Sequence, residues 1–174
     1  DPLPLNTSSS SSSSLSSSST QLNNQSKTSS IHQHPRILCA IYTYEKKHPN
    51  VRAVGATWGW RCDGFFAAST KTVDNRSAIG LGAIDLPHEG PEVYENIWMK
   101  TQSIWAYIHD NYVDDFDFFF LSGDDTHVIV ENLRRVLESM GNAAHEAPLY
   151  LGHWVPDLYD SGYFCGGGPG YVLN

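Results

Sequence analysis

Apolar positions along the chain follow two rhythms. Arg36-Ile37-Leu38-Cys39-Ala40-Ile41-Tyr42-Thr43 is an apolar run of strand length, ended by the polar break Glu45 to Asn50 with Pro49 inside it. It predicts a buried first strand. Val51 to Trp58 reads as a short helix, Gly64 to Ala68 as a second strand and Ala78 to Ile84 as a third. Ile97, Trp98, Thr101, Ile104, Trp105, Ile108 and Tyr112 then trace one face of a 3.6-residue period, which predicts a long amphipathic helix. In Phe116 to Leu121 the last four positions are all apolar, as in a strand covered on both faces, and this is the candidate central strand. The break Ser122-Gly123-Asp124-Asp125-Thr126 follows. Val128, Ile129, Leu133, Val136, Leu137 and Met140 resume a helical rhythm that Gly141 can close, and Leu149 to Leu151 supplies a short late strand. The segment Gly162 to Asn174 is Gly-rich with aromatics. Strands alternating with long helices, without an internal repeat, predict an α/β sandwich with a mostly parallel sheet.

Composition changes this picture at the N-terminal end. Residues 1–35 are dominated by the serine tracts Ser8 to Ser14 and Ser16 to Ser19, with too little apolar surface to offset the entropy of ordering. They are expected to form a disordered stalk or linker, leaving 36–174 as the folded domain. A stalk that opens on Asp1 rather than Met is also what remains when an N-terminal anchor is removed. No apolar run in the chain reaches the roughly 18 to 20 residues that span a bilayer.

Charge narrows the partners. The chain has a net charge of -8, and because Asp1 and Lys27 cancel, the body keeps all of it. Its bases are scattered singly, so no nucleic-acid surface is expected. A phosphate-rich ligand would need a cation as intermediary. Among the cysteines, Cys39 and Cys62 can pair and leave Cys165 over, or all three can be buried thiols. Sequons at Asn6, Asn24 and Asn75 allow N-glycosylation along a secretory route.

Candidate chemistry centres on Gly123-Asp124-Asp125, because ligands of open α/β sheets bind outside the carboxyl ends of strands. Adjacent carboxylates suit a hard divalent ion, which could clamp a diphosphate. On spacing alone, a role in capping the next helix ranks first. Asp114, Asp115 and Asp117 read as a solvated turn, and His127 as surface cover that could also approach the aspartates. No motif of zinc hydrolases, nucleoside triphosphatases or serine esterases occurs. The run Gly162 to Tyr171 lets backbone pass close to another group, with tyrosines free to stack on a sugar, or it is a plain turn inside a hairpin.

Five collinear blocks carry a resemblance. Val54-Gly55-Ala56-Thr57-Trp58-Gly59-Trp60-Arg61-Cys62 resembles the V-x-A-T-W-x-x-R-C stretch of the core 1 β-1,3-galactosyltransferases, a branch of the fringe-like glycosyltransferases. Lys100-Thr101, with Tyr107 to Tyr112, resembles the helix that this family opens with K-T. Gly123 to Val128 stands where the family has D-D-D-T-Y-V, and Glu131-Asn132-Leu133-Arg134 where it has D-N-L-R. Gly162-Tyr163 and Gly166 to Leu173 are similar to its G-Y-x-x-G-G-x-G-Y-V-L segment.

The resemblance implies a GT-A type fold, a UDP-sugar donor (UDP-galactose in the nearest branch) and Mn²⁺. It further implies inverting transfer to N-acetylgalactosamine on a glycoprotein acceptor, by a type II protein in the Golgi lumen whose membrane anchor is absent from this chain, with a homodimer as a possible assembly. Carried over by position, Asp125 and Asp124 become the metal ligands, with Asp124 also near the donor, and Gly123 replaces the family's first Asp. Thr43 and Arg61 would face the nucleotide, the arginine offering a forked donor set for phosphate. Trp58 is assigned to the core. Gly166, Gly167, Gly168 and Tyr171 would form a sugar or acceptor loop. The family's catalytic base and late metal-binding His fall beyond Asn174, so no base is assigned. The chain is then expected to be a fragment or an inactive relative. A fringe-type N-acetylglucosaminyltransferase and a chaperone-like, non-catalytic relative are the other readings.

Overall fold

The computed structural model describes residues 34–71, 82–141, 146–157 and 162–174, all within one unit, Ile31–Asn174. The serine tracts, the three sequons and the start of the expected third strand at Ala78 lie outside the described residues. Of the expected stalk, only His34 and Pro35 are described.

Four strands form the parallel part of a six-stranded sheet: β1 (Ile37–Tyr42), β2 (Gly64–Ser69), β3 (Ala83–Asp85) and β4 (Phe118–Gly123). Two more, β5 (Tyr150–Gly152) and β8 (Tyr171–Leu173), complete the order β3-β2-β1-β4-β8-β5. β8 runs antiparallel to both of its neighbours, and every other pairing in this sheet is parallel. β6 (Trp154–Pro156) and β7 (Tyr163–Cys165) pair separately. The expected mixed α/β architecture with a mostly parallel sheet is what the chain forms.

Both faces of β1 and β4 are buried, and the period-two alternation divides their side chains between two cores. Ile37, Cys39, Ile41, Phe118 and Phe120 face one side. There they meet Val51, Val54 and Trp58 from helix α1 (His48–Thr57) and its end, and Val130 and Leu137 from α3 (Val130–Met140). Leu38, Ala40, Phe119 and Leu121 face the other side, where Ile104 and Ile108 of α2 (Ile97–Tyr112) cover them. The result is a helix-sheet-helix sandwich. Among the described residues no helix is long and apolar enough to cross a membrane.

Three expectations shift. The helix expected at Val51 begins at His48, since Pro49 falls in its first turn, where an N–H would be unpaired anyway. The central strand starts two residues later than expected and runs on through Ser122 and Gly123, because its pairing with β1 continues to Tyr42↔Gly123. The glycine-rich segment is not a hairpin, since β7 pairs with β6 while β8 inserts between β4 and β5. Its close backbone approach is real: Gly170 takes φ +89°, and a Cβ there would stand 2.4 Å from the Phe120 ring. Of the three acids read as a solvated turn, Asp117 instead accepts the Arg36 N–H at 2.7 Å and pins the start of β1.

Cys39 and Cys62 form a disulfide and Cys165 is a buried free thiol. The bridge ties the middle of β1 to the turn that follows α1. Trp58 is 2% exposed, as expected of a core residue, and meets Phe65 and Phe120 edge-on.

Candidate functional site: an acidic cleft where the strand order reverses

From β1 the chain moves outward to β2 and β3, then returns to lay β4 on the other side of β1. The crevice at the carboxyl ends of β1 and β4 is therefore a topological switch point, the usual ligand position in such sheets. A cleft of about 600 Å³ opens there, between Tyr42 and Thr43 at the end of β1 and Gly123, Asp124 and Asp125 at the end of β4. Because β8 runs antiparallel, the loop that precedes it emerges at the same end, and Gly167 and Gly168 form part of the wall. The remaining wall comes from Tyr44 and Lys47, from Glu92 to Tyr94, and from Ile97 and Lys100 on α2.

The aspartates do not cap α3. Its N-cap is Ile129, which makes no side-chain capping bond, and Asp124 and Asp125 lie in a turn several residues earlier. Asp124 instead accepts hydrogen bonds on both oxygens, from the Thr43 hydroxyl at 2.6 Å and from the Asn50 amide at 3.1 Å. Its carboxylate is thus fixed from β1 and from the first turn of α1. Asp125 is exposed. Behind the turn, the Trp58 indole N–H donates to the Thr126 carbonyl at 3.1 Å, and the Thr126 hydroxyl donates to the Gly168 carbonyl at 2.7 Å. The acidic and glycine loops are thereby joined to each other and to the core.

Tyr42 stands over Gly123. A Cβ at Gly123 would lie 3.3 Å from the Tyr42 hydroxyl and 3.0 Å from Asp125 Oδ1. The hydroxyl reaches the Gly167 carbonyl at 3.4 Å. Burial, with the nearby Asp125 charge, pushes the phenol pKa up, so Tyr42 remains a neutral donor.

The structure brings Thr43, Asp124, Asp125, Gly167 and Gly168 together at the cleft. Thr43 lines the cleft, where it is 4% exposed and its hydroxyl donates to Asp124, so its side chain positions that carboxylate. Arg61 lies elsewhere: its guanidinium pairs with Glu131 and covers the Trp60 ring at 4.8 Å. Gly166 packs against Val155, and Tyr171 accepts the Trp105 indole N–H at 2.8 Å and meets the Tyr150 ring edge-on. Neither borders the cleft. His127 is exposed.

Sequence reasoning missed Asn50, Glu92 and Lys100. Lys100 did carry a signal, because it occupies the apolar stripe of α2 between Ile97 and Ile104. A charge there needs a partner. Its ammonium donates to the Thr43 carbonyl and to Glu92 Oε1, each at 2.5 Å. Burial pushes the Glu92 pKa up, but hydrogen bonds from Lys100 and His88 outweigh it and hold the carboxyl below the ordinary glutamate value.

Among the described residues no group of three or more His, Cys, Asp and Glu side chains could hold a metal alone. Asp124 and Asp125 nevertheless provide an oxygen-only donor set, and each bonded Asp124 oxygen keeps a second lone-pair site. That matches ions such as Mg²⁺ and Mn²⁺, which bind one or two carboxylates plus ligand phosphates rather than complete protein cages.

No family model matches the chain. It is 29% identical over 153 residues to the glycoprotein-N-acetylgalactosamine 3-beta-galactosyltransferase 1 of Xenopus laevis, an alignment covering 87% of this chain and 39% of the relative. It is 31% identical over 84 residues to chondroitin sulfate synthase 3 of Homo sapiens, covering 43% of this chain and 9% of that protein. These likenesses support a glycosyltransferase family. The chain spans about two fifths of the galactosyltransferase it matches.

Proposed function

We propose that the chain is the nucleotide-sugar-binding part of a metal-dependent, inverting glycosyltransferase with a GT-A type fold. Its donor would be UDP-galactose, its metal Mn²⁺ and its acceptor N-acetylgalactosamine on a glycoprotein. One observation carries the reading: the Asp124-Asp125 pair sits at the carboxyl ends of the two central strands, in a cleft at the switch point. The relatives supply the sugar chemistry.

Asp125, with Asp124, would hold the metal, which when bound supplies positive charge against the donor diphosphate. The chain's own residues do the rest. Thr43 and Asn50 hold the Asp124 carboxylate in one orientation, so little ordering remains to be done on binding. Gly167 and Gly168 place backbone without side chains beside the acidic turn. In the transfer itself, the acceptor hydroxyl would form a bond to the anomeric carbon as the bond to UDP breaks, its proton passing to a base. No described residue is assigned as that base. The Cys39–Cys62 bridge favours an oxidising compartment and so supports a lumenal, secretory-pathway location.

Gly123 favours a second reading, a non-catalytic relative, because Tyr42 and Asp125 crowd the space where the similar family carries its first Asp. Calorimetry with UDP and MnCl₂ separates the two. The transferase reading expects Mn²⁺-dependent binding that Asp125→Asn weakens by roughly a hundredfold, consistent with loss of a charged ligand. Unchanged affinity in that variant, or no binding by the parent chain, sinks it.

A further inference from the structure

Lys100 supplies a charge that the proposed role of the aspartates does not use. Lysine is almost never fully buried unless it is paired, and here the residue is 2% exposed at the edge of the cleft. Its charge is already engaged, since Glu92 takes the ammonium on Oε1 at 2.5 Å while the Thr43 carbonyl takes it from another side. Glu92 is doubly held. Its other oxygen lies 2.8 Å from His88 Nε2, whose second ring nitrogen lies 2.9 Å from the Glu89 carbonyl. The cleft is lined by three carboxylates, Glu92, Asp124 and Asp125, against two ammonium groups, Lys47 and Lys100. An anionic ligand therefore meets a wall whose buried cation is occupied by the protein's own acid.

We propose that Glu92 is a built-in competitor for Lys100, and that a phosphate-bearing ligand entering the cleft takes the ammonium over from it. This deepens the reading of the cleft as a nucleoside-diphosphate site and rests on it only for the phosphate chemistry. Both arrangements are satisfied. In the exchanged state Lys100 keeps the Thr43 carbonyl and gains a phosphate oxygen, to which lysine is suited as a point charge. Glu92 keeps His88, so neither partner is left as an uncompensated buried charge. Glu92 and the adjoining Val93 and Tyr94, which line the same cleft, are then freed from one of their tethers to α2. Ligand occupancy and the position of that segment become linked.

A purely structural ion pair and a competitor predict opposite signs for one substitution. Glu92→Gln keeps shape and an acceptor oxygen but removes the charge. Inorganic pyrophosphate and UDP are titrated, with and without MnCl₂, into the parent chain, Glu92→Gln, Lys100→Met and the double variant, with folding checked by circular dichroism. Glu92→Gln is expected to bind pyrophosphate about fivefold more tightly, at the lower end of ordinary coupling factors. Lys100→Met is expected to bind it roughly tenfold more weakly, as for a lost charge-assisted hydrogen bond. The gain from Glu92→Gln should vanish in the Lys100→Met background. Equal or weaker binding by Glu92→Gln overturns the proposal, and so does a gain that persists without Lys100, which would be general charge repulsion. Should Lys100→Met not fold, Lys100→Gln takes its place in the cycle, and equal or weaker binding by Glu92→Gln still overturns the proposal. A pyrophosphate response without any advantage for UDP would remove the uridine nucleotide and leave the exchange standing.

Discussion

The two walls of the cleft are built on different principles. On the β1/β4 side, Asp124 is held by neutral hydrogen bonds from Thr43 and Asn50, and its turn is anchored through Thr126 to Trp58 in the core. Beneath it, β1 is bridged to the turn after α1 by Cys39–Cys62. On the α2 side, Glu92 belongs to an exposed stretch whose Tyr94 is 84% exposed, and it is fastened by charge to Lys100 and by a hydrogen bond to His88. One wall is tied to the core through the Trp58 to Thr126 hydrogen bond. The other is held by bonds that an incoming anion can replace. A site that must both orient a carboxylate and admit a charged ligand gains from dividing these tasks.

The largest test of that contrast is Trp58→Ala. It removes a 2% exposed indole and the donor to Thr126, and should cost about 3–5 kcal/mol of stability in urea unfolding. If the core-tied wall depends on it, Mn²⁺-dependent UDP affinity should fall together with stability. Unchanged affinity would show that the acidic turn keeps its shape without the core. Next in size is the disulfide, which closes a loop between residues 23 apart. Its reduction should lower unfolding free energy by about 3 kcal/mol, and hydrogen exchange should rise first around β1 and the turn after α1. Exchange rising first at Glu92 to Tyr94 would contradict the division.

Acid should have the smallest effect and act on the other wall. Because the folded-state pKa of Glu92 is lowered, its contribution is fully present above the ordinary glutamate value of 4.5 and is lost as pH falls through the lower folded value. Limited proteolysis near Glu92 should therefore increase in that acid window while β1 stays protected. Glu92→Gln should already show the increase at neutral pH.

How much of this was legible in the sequence follows from where the constraints lie. β1 and β4 were readable because strands buried on both faces are apolar at nearly every position, and α2 because one face alone is apolar. The ends of β4 were not, since Ser122 and Gly123 are polar or small yet fully within the pairing with β1. Register, rather than hydrophobicity, decides that boundary. The same limit hid the site's polar partners. Asn50 meets Asp124 across 74 positions and Lys100 meets Thr43 across 57, and no local pattern encodes such pairs. Arg61 shows the converse. Its block fits the similar family well, but in the fold the side chain is engaged by Glu131.

Tyr42 and Gly123 lie opposite each other on adjacent strands and share a single volume, since a Cβ at 123 would press on the Tyr42 ring and hydroxyl. Bulk added at one position is therefore felt at the other. A carboxylate introduced at 123 would bring its Cβ to 3.0 Å from Asp125 Oδ1 and 3.3 Å from the Tyr42 hydroxyl, so the phenol that spans from the acidic turn to the glycine loop would have to give by a few tenths of an ångström.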